Sequence, residues 1–183
     1  VSLQKYSQGA AIKNVASVAS FFISRVDSEV DKRLESIGTQ DALDIRGKAA
    51  IAQAKIAYEM FEKTFSGDAW RSLAKLGAQV QRPLWASTST KNPDYPDTMY
   101  VDELIGPHSV NTLPDATMDA FSDHGLIAET ITSNVDGARK VLDDLSRLGI
   151  DMTNVAHQLE QDGVLSFQQS FNELLAVLEA KRK

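Results

Sequence analysis

The chain has 183 residues, of which 43% are hydrophobic, and a formal net charge of −6 at pH 7. This length suits one domain or part of a larger one, and the charge disfavours a broad nucleic-acid surface, which needs clustered basic residues. The sequence has no cysteine, which excludes disulfides, thiolate zinc ligands and a cysteine nucleophile. No segment reaches the roughly 18 apolar residues of a membrane span and no signal-peptide pattern opens the chain, so we expect a cytoplasmic protein.

Short β-rich runs alternate with helical periodicity along the chain. The run LIAETI at 126–131 fits either a strand or a helix. The other predicted elements, in chain order, are a strand in VASVASFF, helices at 25–37, 41–65 and 70–76, a strand in PLWAS, a helical turn at 99–105, a strand in VNTL, and helices at 114–124, 135–148, 152–162 and 165–182.

The first long helix follows the strand VASVASFF. Ser24 and Asp27 resemble a capping box, which would start this helix near Arg25. An acidic first turn suits the helix dipole. We therefore expect Asp27, Glu29 and Asp31 to form a solvated face.

Strands that alternate with helices predict a parallel α/β architecture. In such folds the residues that carry chemistry lie just past the carboxyl ends of the strands. Polar residues follow three predicted strands, at 20–25, 87–92 and 111–112. This pattern indicates the rim of an active site.

Arg25 is the first candidate ligand for an anion. It lies at the start of a predicted helix, where backbone N–H groups and the helix dipole favour negative charge, and a guanidinium there can hold phosphate through two parallel hydrogen bonds. The alternative is a surface ion pair between Arg25 and Asp27, Glu29 or another carboxylate. The sequence alone leaves both open.

Lys91, with Ser87 and Ser89, is the second candidate. An ammonium and hydroxyl groups at a strand end can bind phosphate oxygens. The alternative is that the serines and threonines only form turns before the prolines that follow. Because two strand ends each offer a donor, the phosphate interpretation is stronger for the pair than for either alone.

These residues predict neither a metal site nor a nucleophile. The three histidines, His108, His124 and His157, lack metal-ligand spacing. A Schiff-base lysine is expected inside an apolar strand near a barrel centre, and no predicted strand contains a lysine. We therefore identify no catalytic residue in the chain.

Three long motifs resemble the transaldolase family, of the bacterial type found in actinobacteria: VASVASFFISRVDSEVDKRL, IRGKAAIAQAK and QRPLWASTSTKNPDYPDTMYVDELIGPHSVNTLP. The resemblance covers nearly the whole chain and implies a (β/α)8 TIM barrel. Residues 1–183 would form a single domain with strands six to eight and the C-terminal helices. The implied activity belongs to the pentose phosphate pathway and needs no cofactor. A lysine Schiff base transfers a dihydroxyacetone unit from sedoheptulose 7-phosphate or fructose 6-phosphate to glyceraldehyde 3-phosphate or erythrose 4-phosphate.

The resemblance assigns roles to residues at the strand ends. The family's serine-to-arginine element after strand six falls on Ser20 and Arg25, and this arginine binds the substrate phosphate. The element after strand seven falls on Ser87, Lys91 and Asn92, although many members have arginine in place of the lysine and two residues fewer. At the end of strand eight, Asn111 and Thr112 take positions on the rim.

The chain is shorter than the roughly 250 residues of an eight-stranded barrel. The family's strand-one aspartate, Schiff-base lysine and acid–base glutamate are therefore expected upstream. Two alternatives stay open: a non-catalytic barrel fragment that scaffolds or assembles with a complementary half, and a related Schiff-base sugar-phosphate aldolase. The implied partners are sugar phosphates, with no nucleic acid and no membrane, and the full-length enzyme would be a monomer or a homodimer.

Overall fold

One parallel sheet organises the fold in the computed structural model, which describes residues 4, 7–9 and 11–182. Its strands are β1 (Ser17–Phe22), β2 (Gln81–Ala86) and β3 (Val110–Asn111), in the spatial order β1-β2-β3. The register pairs Phe22 with Ala86 and Trp85 with Asn111. The carboxyl ends therefore meet at one edge, where α/β proteins bind ligands. The predicted α/β class is confirmed.

Helices flank this sheet and connect its strands. Strands β1 and β2 and the helices Asp115–His124 and Val135–Arg147 lie close to their predicted positions. The helices are α1 (Ile23–Ile37), α2 (Gln40–Leu43), α3 (Ala49–Thr64), α4 (Asp68–Ala74), α5 (Met99–Asp102), α6 (Asp115–His124), α7 (Val135–Arg147) and α8 (Met152–Lys181).

Two clusters of buried side chains hold the layers together. One joins the sheet to α1 and α3 around Trp85, which is 1% exposed and donates its indole N–H to the Leu104 carbonyl at 3.1 Å. The other joins α1, α3, α7 and α8 around Val30, Leu34 and Leu145. Burial of each large apolar side chain contributes about 1.5–3 kcal/mol. Helix α1 contributes to both clusters, so its first turn is fixed against the sheet.

The helix predicted over 41–65 is interrupted, and that prediction is wrong. Gly47 adopts a left-handed conformation at φ +72°, and its N–H donates to Asp31 Oδ1 at 2.9 Å. The N–H of Ala50 donates to Asp27 Oδ1 at 2.8 Å. Because carboxylates on α1 accept these N–H groups, the chain breaks at Gly47 and a new helix begins at Ala49.

The start of α1 also differs from the prediction. The helix begins at Ile23. Its N-cap residue, Phe22, makes no side-chain hydrogen bond to the backbone N–H groups of the first turn. The Glu29 side chain is only 16% exposed and pairs with Arg33. Asp27 is 1% exposed and Asp31 is half-buried, so the predicted solvated acidic face is wrong for these two as well. Their burial is explained by the backbone and tyrosine hydrogen bonds that they accept from other elements.

Helix α8 runs without a break through Gly163, so the prediction of two helices there is wrong. A glycine inside a helix costs about 1 kcal/mol relative to alanine but ends the helix only when the chain turns. The C-terminal half of α8 leaves large apolar side chains exposed, namely Val164, Leu165, Phe167, Phe171, Leu174, Leu175, Val177 and Leu178. No helix in the described ranges is long and apolar enough to cross a membrane.

The run at 126–131 forms neither a strand nor a helix. The N–H groups of Thr130 and Ile131 both donate to the Ile105 carbonyl at 3.0 Å. Ile131 is fully buried, whereas Ile127 is 86% exposed. The segment is therefore anchored at its end as an irregular connection between α6 and α7.

Candidate phosphate site

Arg25, Ser87 and Lys91 line one cleft at the carboxyl ends of β1 and β2. The cleft has a volume of about 450 Å³, which lies within the usual range for a small-molecule site. We call it the strand-end cleft. Its lining residues are Ser24, Arg25, Ser28, Glu29, Ser87, Lys91, Leu159 and Asp162.

Ser87 connects the end of β2 to the first turn of α1. Its carbonyl accepts the N–H of Ser24 at 3.0 Å, and the two hydroxyl oxygens lie 2.8 Å apart. Ser87 adopts φ +57°, a left-handed conformation that is uncommon for residues other than glycine. This turn directs the chain from the strand end across the start of α1.

Arg25 is exposed in the first turn of α1, and its guanidinium carbon lies 4.8 Å from the centroid of the Phe22 ring. Among the residues that the structure describes, no carboxylate lies within 4.0 Å of this guanidinium. The ion pair with Asp27 or Glu29 that the sequence left open does not form. Asp27 instead binds Ala50 and Tyr100, and Glu29 binds Arg33.

Lys91 is exposed in the loop between β2 and α5. Its ammonium donates to the Ser89 hydroxyl at 2.9 Å. A guanidinium from one strand end and an ammonium from the next thus border the same space. Two cations beside the hydroxyls of Ser24 and Ser87 suit a phosphate dianion.

Two carboxylates also line the strand-end cleft. Glu29 is paired with Arg33, whose guanidinium lies 2.7 Å from Glu29 Oε1. Asp162, on α8, accepts a hydrogen bond from the Gln158 amide at 2.9 Å. The carboxylate of Asp162 therefore opposes a bound anion more strongly than that of Glu29, because a neutral amide does not balance its charge.

The four predicted rim residues lie outside the strand-end cleft. Ser20 is exposed on β1, opposite Leu84 of β2. Asn92 Oδ1 accepts the Asp94 N–H at 2.9 Å and closes a local turn. Near the end of β3, Asn111 Oδ1 accepts the Thr88 hydroxyl at 2.8 Å, and the N–H of Thr112 donates to the Trp85 carbonyl at 3.0 Å. Asn92 and Asn111 thus bind residues of the loop after β2, whereas Thr112 binds β2 itself.

A second cleft of about 230 Å³ adjoins the first. We call it the tyrosine cleft, because two carboxylates in it accept tyrosine hydroxyls. The Tyr100 hydroxyl donates to Asp27 Oδ2 at 2.7 Å, and the Tyr95 hydroxyl donates to Asp31 Oδ2 at 2.6 Å. Its lining residues are Asp27, Ser28, Asp31, Lys32, Glu35, Lys91, Asn92, Tyr95 and Tyr100.

Burial shifts the ionisation of these pairs. Desolvation raises the pKa of Asp27 to about 6, although the Ala50 N–H and the Tyr100 hydroxyl oppose the rise. Desolvation also raises the pKa of Asp31. The pKa values of Tyr95 and Tyr100 rise for the same reason and because of the neighbouring carboxylates. Both tyrosines therefore remain protonated donors at neutral pH.

Lys55 is the buried lysine of α3, at 5% exposure. Its ammonium donates to Glu103 Oε2 at 2.9 Å and to the carbonyl and hydroxyl of Ser133 at 3.2 and 3.3 Å. These three acceptors fix the side-chain nitrogen away from the strand ends, and so the geometry does not favour Lys55 as a nucleophile. Within the described ranges, no group of three His, Cys, Asp or Glu side chains could hold a metal ion.

Sequence reasoning missed several residues of the strand-end cleft. Ser24 and Ser28 are four residues apart on α1, a spacing that puts them on one helix face and could have been recognised beside Arg25. Leu159 and Asp162 come from α8, more than 130 residues later in the chain. No local pattern indicates that α8 reaches this cleft.

Comparison with known proteins identifies the relatives of this chain. A family model described as "Transaldolase/Fructose-6-phosphate aldolase" matches residues 2–178. The chain belongs to this family. It is similar to proteins named transaldolase from Parafrankia sp. (57% identity over 173 residues), Frankia alni (52% over 176) and Mycobacterium tuberculosis (52% over 169).

These alignments cover most of this chain but under half of each transaldolase. They include 94%, 96% and 91% of the chain, and 47%, 47% and 45% of the respective relatives. The chain thus spans less than half the length of these curated relatives. The resemblance to the transaldolase family that the motifs indicate is confirmed.

Proposed function

We propose that this chain supplies the phosphate-binding part of a transaldolase. The observation that carries the proposal is the strand-end cleft, where Arg25, Ser87 and Lys91 from two strand ends meet. Membership of the transaldolase family supports sugar phosphates as the ligands. The proposed reaction transfers a dihydroxyacetone unit from a ketose phosphate to an aldose phosphate through a lysine Schiff base.

A phosphate held in this cleft would position the rest of the sugar. The guanidinium of Arg25 can bind two phosphate oxygens, while Lys91 contributes a point charge and Ser87 a hydroxyl donor. These contacts are remote from the reacting carbons. Their binding energy can therefore fix the orientation of the carbonyl group before the chemical step.

We propose that the Schiff-base lysine lies outside these 183 residues, in the part of a (β/α)8 barrel that precedes strands equivalent to six, seven and eight. Strands β1, β2 and β3 contain no lysine. The buried ammonium of Lys55 is held by Glu103 and Ser133. The chain therefore contributes binding groups, and the nucleophile comes from another segment.

Calorimetric titration with fructose 6-phosphate tests the binding part of this proposal. A hydrogen bond to a charged group contributes about 1.5–3 kcal/mol, so R25Q should weaken binding by about tenfold or more. R25K keeps the charge but loses the two-pronged geometry and should be intermediate, whereas K91R should bind like the wild type and K91Q more weakly. Equal affinities for the wild type, R25Q and K91Q would overturn the proposed site.

Borohydride trapping tests the catalytic part. We expect no covalent adduct with fructose 6-phosphate on the 183-residue chain. A longer protein that contains this chain and the preceding part of a family barrel should form one adduct. If the short chain is itself trapped, its nucleophile lies among these residues and our assignment is wrong.

A second candidate function is assembly with a complementary half of a barrel, without catalysis by this chain alone. Eight large apolar side chains of α8 are between 43% and 74% exposed, and Phe22 on β1 is 47% exposed. Strands β1 and β3 are the two edges of the sheet, and exposed edges and apolar patches favour association. Sedimentation of the chain with and without a separately produced complementary half should show a one-to-one complex. Absence of that complex would exclude this function.

A further inference from the structure

Lys91 lies on the boundary between two clefts of different charge. Together with Ser28, it lines both the strand-end cleft and the tyrosine cleft. The strand-end cleft is lined by one other cation, Arg25, and by the carboxylates of Glu29 and Asp162. The tyrosine cleft contains three carboxylates, those of Asp27, Asp31 and Glu35. An ammonium on a flexible four-carbon stem can therefore stay in the strand-end cleft, beside Arg25 and a bound anion, or turn to a carboxylate of the tyrosine cleft.

Each of these three carboxylates already has a partner. Asp27 accepts the Tyr100 hydroxyl and the Ala50 N–H. Glu35 is paired with Arg46 at 2.8 Å. Asp31 accepts the Gly47 N–H with Oδ1 and the Tyr95 hydroxyl with Oδ2.

The partner of Asp31 comes from the same loop as Lys91, four residues later. The Tyr95 ring packs against Gly47, where a Cβ atom would lie only 2.8 Å from the ring carbon Cζ. This close fit holds the hydroxyl on Asp31. Lys32 also lines the tyrosine cleft, but adjacent residues of a helix do not face each other, so Lys32 is poorly placed to bind Asp31.

We propose that Tyr95 is a positioning residue for the phosphate site, because it occupies the Asp31 oxygen that would otherwise draw the Lys91 ammonium away from the strand-end cleft. The inference rests on the proposed phosphate-binding function and assigns a residue outside the cleft to its control. Asp31 is thus a competing acceptor, and the tyrosine hydroxyl competes with Lys91 for its Oδ2.

The variant Y95F tests this role, because it keeps the ring and removes only the hydroxyl. The Lys91 ammonium should then pair with Asp31, and the affinity for inorganic phosphate should fall about threefold to fivefold, as expected for an exposed ion pair. The double variant D31N/Y95F removes the competing charge and should restore the affinity. Y58F loses a comparable hydrogen bond to the Pro107 carbonyl and should bind phosphate like the wild type.

A purely structural role for Tyr95 gives a different result. It would lower the melting temperature of Y95F without changing phosphate affinity, or it would weaken binding in Y95F and D31N/Y95F alike. Either result overturns the inference. If the wild type binds no phosphate, the proposed function fails, and the crystal structure of Y95F then decides the inference separately. In that structure we expect Lys91 Nζ to lie within 4 Å of the Asp31 carboxylate. A Lys91 ammonium that still donates to the Ser89 hydroxyl would overturn the inference.

Discussion

The hydroxyl oxygens of Ser24 and Ser87 lie 2.8 Å apart, although 63 residues separate them in the chain. This contact joins the first turn of α1 to the residue that follows β2. It is accompanied by the backbone hydrogen bond from the Ser24 N–H to the Ser87 carbonyl. The two strand ends that carry Arg25 and Lys91 are therefore coupled through one serine pair.

Replacement of Ser87 by alanine should weaken the phosphate site without unfolding the chain. A lost hydrogen bond of this kind costs about 0.5–1.5 kcal/mol, so S87A should bind fructose 6-phosphate roughly threefold to tenfold more weakly. S36A is a matched control, because the Ser36 hydroxyl donates to a carbonyl on exposed α1 surface. Unchanged affinity for S87A, measured by calorimetry, would remove Ser87 from the site.

Neutralisation of Asp162 should strengthen anion binding. Its carboxylate lines the strand-end cleft and has the neutral Gln158 amide as its hydrogen-bond donor. D162N should raise the phosphate affinity by about twofold to fivefold at low salt, and the gain should shrink at high ionic strength. E173Q is the control, because Gln169 donates to Glu173 in the same way farther along α8. An equal gain in E173Q would show that only net charge matters.

The buried carboxylate of Asp27 should make stability depend on pH. Burial raises its pKa to about 6 from 3.8, so as the pH falls the folded chain binds a proton before the unfolded chain does. The contribution of Asp27 to the free energy of unfolding therefore increases as the pH falls from about 6 to about 4, by roughly 3 kcal/mol in total. The amide of D27N does not titrate and can still accept from the Ala50 N–H.

Urea denaturation of both proteins between pH 4.5 and 7.5 measures this effect. The stability of the wild type relative to D27N should be greater at the acid end of the range. Titrating groups that do not interact with Asp27 are common to both proteins and cancel in the difference, whereas Asp31, which is coupled to Asp27, adds a smaller change. A difference that stays constant across the range would show that Asp27 is not shifted.

A side chain at Gly47 should destabilise the fold more than one at Gly38. Both glycines have left-handed φ angles, +72° and +71°, so alanine costs about 1–2 kcal/mol at either position. At Gly47 the new Cβ atom would also lie 2.8 Å from the Tyr95 ring, whereas at Gly38 the nearest atom is the Glu35 carbonyl oxygen at 3.7 Å. Equal losses of unfolding free energy in G47A and G38A would contradict the close fit of Tyr95.

The strands and their polar ends could be predicted from the sequence, because both depend on local patterns. The run around Trp85 has the apolar β-rich composition of a buried strand, and the donors Ser87 and Lys91 follow it directly. Parallel strands then bring Arg25 to the same edge. This reasoning required no knowledge of distant contacts.

The interrupted helix and the tyrosine pairs could not be predicted locally. The break at Gly47 depends on acceptors from Asp27 and Asp31, which lie on another helix. Their burial depends in turn on Tyr95 and Tyr100, more than 60 residues later. A helical spacing of acidic residues looks the same in sequence whether its face meets water or tyrosine hydroxyls.

Mapping of the fructose 6-phosphate site by NMR tests the central claim most directly. Titration of the isotope-labelled chain should give saturable shifts for the amides of residues 24–28 and 87–91, and R25Q should need about tenfold more ligand to reach the same shifts. Amides of α6 should stay unchanged. Shifts that do not saturate, or that centre on the separate cleft beside Lys140 and Arg147, would contradict the account.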